Sequence, residues 1–343
     1  MTNYSITQNC LPEKIIQYQG ENKIWLGGTN YLGIGFHPLF QEKLKKGIEL
    51  FPQNWGSSRR NNLQLDIWGK FEDQLSEAFP RKSVALCSSG MAAAQTALYF
   101  IQKNHPQLSP NLAPFTHPAL WMPQAEVTKR TYKDWVENIS QTNNQLYGSD
   151  GIGAPIVQEF ELDWTKKTSP NSFIVIDESH RFGLKNIHLE SPSTIVQTAS
   201  LSKAYGIPAG MIIGPKDWIE ELKKDPFWVG TSPPNPAFIY ASLNAHEAYE
   251  EQVALLNERI QYFQNLLPIS STSAIQRVEN YSGFSCKEPE LFEHLLKDGF
   301  LVNQFAYPNP NAPAICKGII HPLLSMEQIE LLANSFNKFQ ASL

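Results

Sequence analysis

Between residues 83 and 214 the apolar positions fall into short unbroken runs rather than alternating with polar ones. Residues 83–87, 172–177, 193–197 and 210–214 each read as a strand without a wet face. Such strands are covered on both sides, as in a mostly parallel sheet. Ser88-Ser89-Gly90 turns the first of them into an Ala- and Leu-rich helix expected over 91–102. Beyond Pro236 the spacing becomes helical, and one long helix is expected over 237–267. A strand at 299–305 and a closing helix at 325–339 follow, the latter announced by Ser325 with Gln328 three residues on. Proline-rich stretches at 105–118 and 307–313 read as loops. The pattern predicts an α/β chain with a large domain, its mostly parallel mixed sheet flanked by helices, and a small α+β C-terminal domain. The expected division is an N-terminal segment 1–45, a large domain 46–236, and a bridging helix with the small domain over 237–343.

Composition narrows the function classes. The chain has 343 residues, 42% of them hydrophobic and 18% charged, and a net charge of −5 with no long basic block. Nucleic acid is therefore not an expected partner. Cys10, Cys87, Cys286 and Cys316 form no CxxC pair, and no histidine cluster has metal-ligand spacing, so reduced thiols and no metal are expected. No apolar run approaches the roughly 20 residues that cross a bilayer, and the N-terminus has no charged-then-apolar leader. A cytoplasmic protein without a membrane partner is the expectation.

Three features lie at expected strand ends, where open α/β sheets place ligands. Ser88-Ser89-Gly90-Met91 presents N–H groups at a helix start, suited to a phosphate, though such a turn is also an ordinary structural device. Asp177 follows a buried apolar strand, where a carboxylate needs a cation or donor; a protonated pyridine nitrogen would serve, and so would a helix N-terminus capped by Asp177. Lys203, in Ser200-Leu201-Ser202-Lys203, sits among small residues just past a strand, poised for imine formation if its surroundings lower its pKa. The order of the three points to pyridoxal 5'-phosphate (PLP) held as a Schiff base on Lys203.

The chain resembles the fold-type I PLP-dependent transferases, and within them the α-oxoamine synthases, a group that includes 8-amino-7-oxononanoate synthase, 2-amino-3-ketobutyrate CoA ligase and serine palmitoyltransferase. The likeness runs from about Asn30 onward. Asn30-Tyr31-Leu32-Gly33 with His37-Pro38 is similar to the family's NDYLGL…HP signature, and Gly56-Ser57-Ser58-Arg59 to its glycine/serine loop. Asp177-Glu178-Ser179-His180 resembles DEAH, Ser200 to Lys203 resembles T-x-x-K, and Thr231-Ser232-Pro233-Pro234 resembles ST-x-x-PP. The resemblance implies that Lys203 bears the cofactor and shuttles the substrate Cα proton, while Asp177 keeps the pyridine nitrogen protonated. His180 would meet the phenolic oxygen. His117 would stack on the ring, although His117-Pro118 is equally a turn. Ser89, Gly90, Met91, Ser200, Ser202 and a neighbouring chain's Thr231 would hold the phosphate, which implies a homodimer with shared sites. Asn30 and Tyr31 would lie on the substrate side.

The resemblance is incomplete. Gly148 stands where the family's SMDGD-AP loop has serine, with Ser149 beside it. The family's C-terminal arginine for the amino-acid carboxylate is matched by Lys317, a point charge without arginine's fork, or else a surface lysine. The implied activity is condensation of an amino acid with an acyl thioester, on CoA or a carrier protein. An aminotransferase on the same scaffold is the alternative, and a degenerate binding protein a third.

Overall fold

The computed structural model describes residues 7–122, 131–139, 143–185, 189–270, 273–307 and 311–343. Its contacts divide the chain into two units. The larger comprises His37–Gly153 and Glu159–His246; the smaller comprises Met1–Phe36, as far as described, with Ala154–Gln158 and Glu247–Leu343.

The larger unit is built on a six-stranded sheet in the order Lys82–Cys87, Gly210–Pro215, Thr194–Ser200, Phe173–Asp177, Gln145–Asp150, Ser109–Leu112. The last four run parallel, and Gly210–Pro215 is antiparallel to both of its neighbours. On one face the helix Gly90–Asn104 packs Ala93, Ala94, Ala97 and Ile101 against Val175, Val196 and Ile212. Its small residues let helix and sheet approach closely. On the other face Trp135, Tyr147 and Trp164 cover Ile174 and Ile176. Two covered faces are the reason that the central strands read as unbroken apolar runs.

Two strands of this sheet fall outside the expected set. Ser109–Leu112 lies inside the stretch expected as a loop, and Gln145–Asp150 runs into the stretch from Gly148 read only by resemblance. The first contains Pro110, which an edge strand tolerates because the N–H that proline lacks would have had no strand to pair with on the outer side. The expected long helix 237–267 is two helices, Pro236–Leu243 and His246–Leu266. Asn244 ends the first, its backbone N–H and side-chain amide both donating to the Tyr240 carbonyl. Both helices are apolar on their inner sides, so periodicity does not show the break. The first packs on Pro38–Leu50 within the larger unit. The divide therefore falls between His246 and Glu247 rather than near 236.

The smaller unit takes the N-terminal hairpin Ile15–Tyr18 and Glu21–Trp25, whose turn residues Gln19 and Gly20 both have positive φ, as a tight hairpin requires. Phe300–Leu301 adds to it in parallel. Asn303–Ala306, Ala314–Ile319, Gly283–Cys286 and Ile275–Arg277 form a separate antiparallel sheet in that order. The strand expected over 299–305 is thus split at Val302 between two sheets. Phe284, Leu295, Phe300, Leu332 and Phe336 form the core. The closing helix Met326–Ser342 begins at Ser325 with the expected reciprocal cap from Gln328. Residues 1–6 of the N-terminal segment and 308–310 of the expected loop 307–313 lie outside the described residues. No described helix is long and apolar enough to cross a membrane.

Gly47 makes the first prediction. A Cβ there would lie 2.5 Å from the Ala237 carbonyl oxygen of the opposing helix. Gly47→Ala gains about 1 kcal/mol of helix propensity, yet the overpacking costs about 1–3 kcal/mol. Thermal unfolding should show a lowered midpoint; a raised one would mean that the helices separate without cost.

Candidate active site

Parallel strands deliver their C-terminal ends to one edge of the sheet. Here the register sets Asp150 beside Asp177, and Asp177 beside Thr198, at the ends of three adjacent strands. Asp177 is 6% exposed and Asp150 4%. The Ser179 N–H donates to Asp177 Oδ1 at 2.8 Å, and Ser179 Oγ accepts from the Ser200 N–H at 2.9 Å, so one serine ties two strand ends together. His180 and Lys203, both half-buried, follow these ends.

The electrostatics follow from burial. Asp150 is pushed well above the usual carboxylate range by burial first and then by the charge of Asp177, while the His117 N–H and Lys203 act the other way. Lys203 is lowered by desolvation, against the pull of Asp177 and Asp150. His117 is lowered by partial desolvation, with Asp177 opposing and Lys203 assisting. Its Nδ1 accepts from the Ala119 N–H at 3.1 Å, which fixes the remaining proton of the neutral ring on Nε2. Its backbone N–H donates to Asp150 Oδ2 at 3.0 Å and Oδ1 at 3.3 Å.

Opposite these groups the helix Gly90–Asn104 begins. Ser89 Oγ caps it by accepting from the Ala92 N–H at 3.1 Å. A Cβ on Gly90 would come within 2.6 Å of Ser200 Cβ, and one on Gly210 would collide with the Ser89 carbonyl. Both glycines are required for the helix start to reach Ser200, whose Oγ lies 2.7 Å from Ser202 Oγ. Ser202 and Met91 are exposed. Thr231 closes the short helix Pro226–Gly230, donating from Oγ1 to the Trp228 carbonyl at 2.7 Å. Arg59 donates from Nε to the Thr231 carbonyl at 3.2 Å and lies 4.1 Å over the Trp228 ring.

Gly148 also has a packing reason: a Cβ there would lie 2.6 Å from a Leu112 methyl, so the serine of the family's loop has no room beside this leucine. Ser149 is buried and donates to its neighbour's carbonyl, at Asp150. Sequence reasoning named neither Asp150 nor the polar chain beneath the site. In that chain Lys82 donates to Gln197 Oε1 at 2.8 Å, Gln197 donates to Glu178 Oε1 at 3.0 Å, and Arg181 grips both Glu178 oxygens. Arg181 is 0% exposed. A Cβ on Gly151 would strike its guanidinium at 2.8 Å. The available signals were the aspartate at a strand end in Gly148-Ser149-Asp150-Gly151, and an arginine directly after Asp177-Glu178-Ser179-His180.

Asn30, Tyr31 and Lys317 belong to the smaller unit. Asn30 is exposed, its carbonyl accepting from the Gly33 N–H at 3.2 Å. Tyr31 is buried and receives a 2.7 Å hydrogen bond from the Tyr281 hydroxyl. Lys317 is 7% exposed and lies in register between Asn303 and Ser285.

Residues 162–333, half of the chain, match the model of the aminotransferase class I and II family. The chain belongs to that family. Within this setting, an 8-amino-7-oxononanoate synthase of Symbiobacterium thermophilum is 25% identical, over 95% of this chain and 90% of its own length. One of Bacillus velezensis is 24% identical, over 85% and 82%. A serine palmitoyltransferase of Bacteriovorax stolpii is 21% identical, over 61% and 54%. Among solved structures, a serine palmitoyltransferase with PLP as internal aldimine superposes with a TM-score of 0.78 at 15% identity, over 98% of this chain and 92% of its own. The 8-amino-7-oxononanoate synthase of Francisella tularensis gives 0.69 at 16%, over 93% and 98%. The expected fold, a mostly parallel mixed sheet flanked by helices, is thus the fold of this family member.

The buried pair generates a prediction. Glu178→Ala leaves Arg181 without its counter-charge and should lower stability by about 3–5 kcal/mol. Urea unfolding followed by far-UV circular dichroism measures it, and an unshifted midpoint would show that the pair does not hold this turn.

Proposed function

We propose that the chain is a PLP-dependent acyltransferase of the α-oxoamine synthase type, condensing an amino acid with an acyl thioester. The observation that carries this reading is the meeting, at three strand ends, of buried Asp177 and desolvated Lys203 beside a glycine-shaped helix start. Relatives named as such synthases match over nine-tenths of the chain, which favours this activity over the aminotransferase alternative.

The residues present fit PLP. The close approach of the helix start to Ser200 that Gly90 and Gly210 permit gathers the Gly90 and Met91 N–H groups near the Ser200 and Ser202 hydroxyls, a donor set suited to a phosphate. Ser89 gives its own oxygen to the helix cap. Asp177 is a buried anion with one oxygen already held by Ser179, the environment that keeps a pyridinium proton in place. When bound, PLP supplies an electrophilic carbonyl and an electron-accepting ring.

The chain's own groups do the rest. The Lys203 amine, its pKa lowered by desolvation, is more often unprotonated than a surface lysine and so serves first as the attachment point and then as carrier of the substrate Cα proton. His117, with Nδ1 engaged by Ala119, would offer a neutral ring for stacking on the cofactor. His180, three residues after Asp177, is our candidate for the phenolic oxygen. By the resemblance, Lys317, in register between Asn303 and Ser285 of the smaller unit, is our candidate cation for the substrate carboxylate, and Asn30 and Tyr31 are candidates for the substrate side. A buried lysine attracts a carboxylate without fixing its angle, so tolerance toward the amino acid is broader than an arginine would allow. We take the working form to be a homodimer in which a second copy's Thr231 completes the phosphate site. The free thiols of all four cysteines suit a cytoplasmic setting.

The test is an absorbance titration of the purified protein with PLP beside Lys203→Ala, followed by single amino acids with acyl-CoA. A visible band that Lys203→Ala abolishes, and thiol release dependent on one amino acid, are expected. Oxo-acid exchange without thiol release would instead establish the aminotransferase. No band at saturating PLP would overturn the reading.

A further inference from the structure

His117 is carried on a segment that regular structure does little to hold. Phe115 has φ of 64° and is 56% exposed, and Pro118–Leu120 is a single 3-10 turn. The segment is pinned instead by individual hydrogen bonds. Trp121 Nε1 donates to the Thr116 carbonyl at 3.0 Å, and Gln95 Nε2 to the Ala119 carbonyl at 2.7 Å. Among the described contacts, Asp150 is what attaches the backbone of His117 itself to the strand edge bearing Asp177, through both carboxyl oxygens.

That attachment is a costly arrangement. A carboxyl group buried beside a second one is disfavoured by desolvation and by its neighbour's charge. For packing alone, an apolar residue at this strand end would cost less. What the carboxyl adds is an acceptor rigidly mounted on the sheet, level with Asp177 and within the field of Lys203. Neighbouring Gly148 and Ser149 contribute no such anchor, since the one has no side chain and the other donates to the Asp150 carbonyl.

We propose that Asp150 is the positioning residue for His117, fixing the imidazole against the strand edge that carries Asp177, so that loss of Asp150 acts on the cofactor site through His117. This rests on the cofactor reading above for its consequence, but not for the anchor itself. The experiment therefore has one arm without cofactor and one with it.

In the first arm, amide hydrogen exchange of the cofactor-free protein is compared for wild type, D150A and D150N. D150A should speed exchange of the amides of Thr116, His117, Ala119 and Leu120 by about tenfold, the loss of a hydrogen bond worth about 1 kcal/mol or more at a locally opened site. D150N keeps one acceptor oxygen and should stay within about threefold of wild type. If D150A does not fold, D150S, whose shorter side chain withdraws the acceptor, is read in its place. Protection of the strand Phe173–Asp177 reports folding in each case.

In the second arm, visible circular dichroism and PLP retention are measured for the loaded D150A, H117A and D150A/H117A proteins. The D150A spectrum should match that of H117A, and the double variant should retain PLP no worse than H117A, because both changes remove one interaction. Unchanged exchange in D150A, or losses that add in the double variant, would overturn the proposal. A wild type that binds no PLP would overturn the functional reading alone, and the exchange arm would still decide the anchor.

Discussion

A carboxylate at the end of a strand with neighbours on both sides loses most of its hydration, and something must replace it. At Asp177 the replacement comes from two directions. The Ser179 N–H takes one oxygen from within the turn, and Lys203 supplies positive charge from the next strand connection. The lysine is itself desolvated, and the pull of Asp177 only partly opposes the loss of its charge. The rest of the larger unit can be understood as the framework that holds these two groups at adjoining strand ends.

That framework is set by register and by glycine. Parallel pairing puts Asp150, Asp177 and Thr198 level across three strands, a position that no single strand could specify. Gly90 and Gly210 then let a helix start approach Ser200 more closely than any side chain would permit. From the same turn, a buried polar chain runs from Lys82 through Gln197 and Glu178 to Arg181. Successive residues of an extended chain point to opposite sides, so Asp177 and Glu178 serve different partners from one strand end. The first meets the Ser179 N–H, and the second meets Arg181 and Gln197.

The groups proposed for the cofactor and those proposed for the substrate belong to different units of the chain. The groups suited to PLP lie on rigid strand ends and a helix start of one unit. Lys317, Asn30 and Tyr31 belong to the other, where sheet register sets Lys317 between Asn303 and Ser285. A family can hold the first set fixed while varying the second, which accords with relatives named for different products on one fold.

By itself the sequence determined the elements and groups whose signal is local. The unbroken apolar runs marked the central strands because covered faces demand them. Ser325 and Gln328 marked a helix start because a cap is a four-residue device. Asp177 and Lys203 stood out because each follows such a run. The tertiary structure decided what depends on partners distant in the chain. It showed Ser109–Leu112 to be an edge strand, since pairing rather than composition makes it one, and it broke the helix at Asn244 where two apolar patterns join. It divided the strand at Val302 between two sheets, because pairing partners and not propensity assign a strand to its sheet. It also brought Asp150 beside Asp177 and closed Arg181 on Glu178. Charge, desolvation and hydrogen-bond geometry act through space, so their consequences became legible only once the strands were set in register.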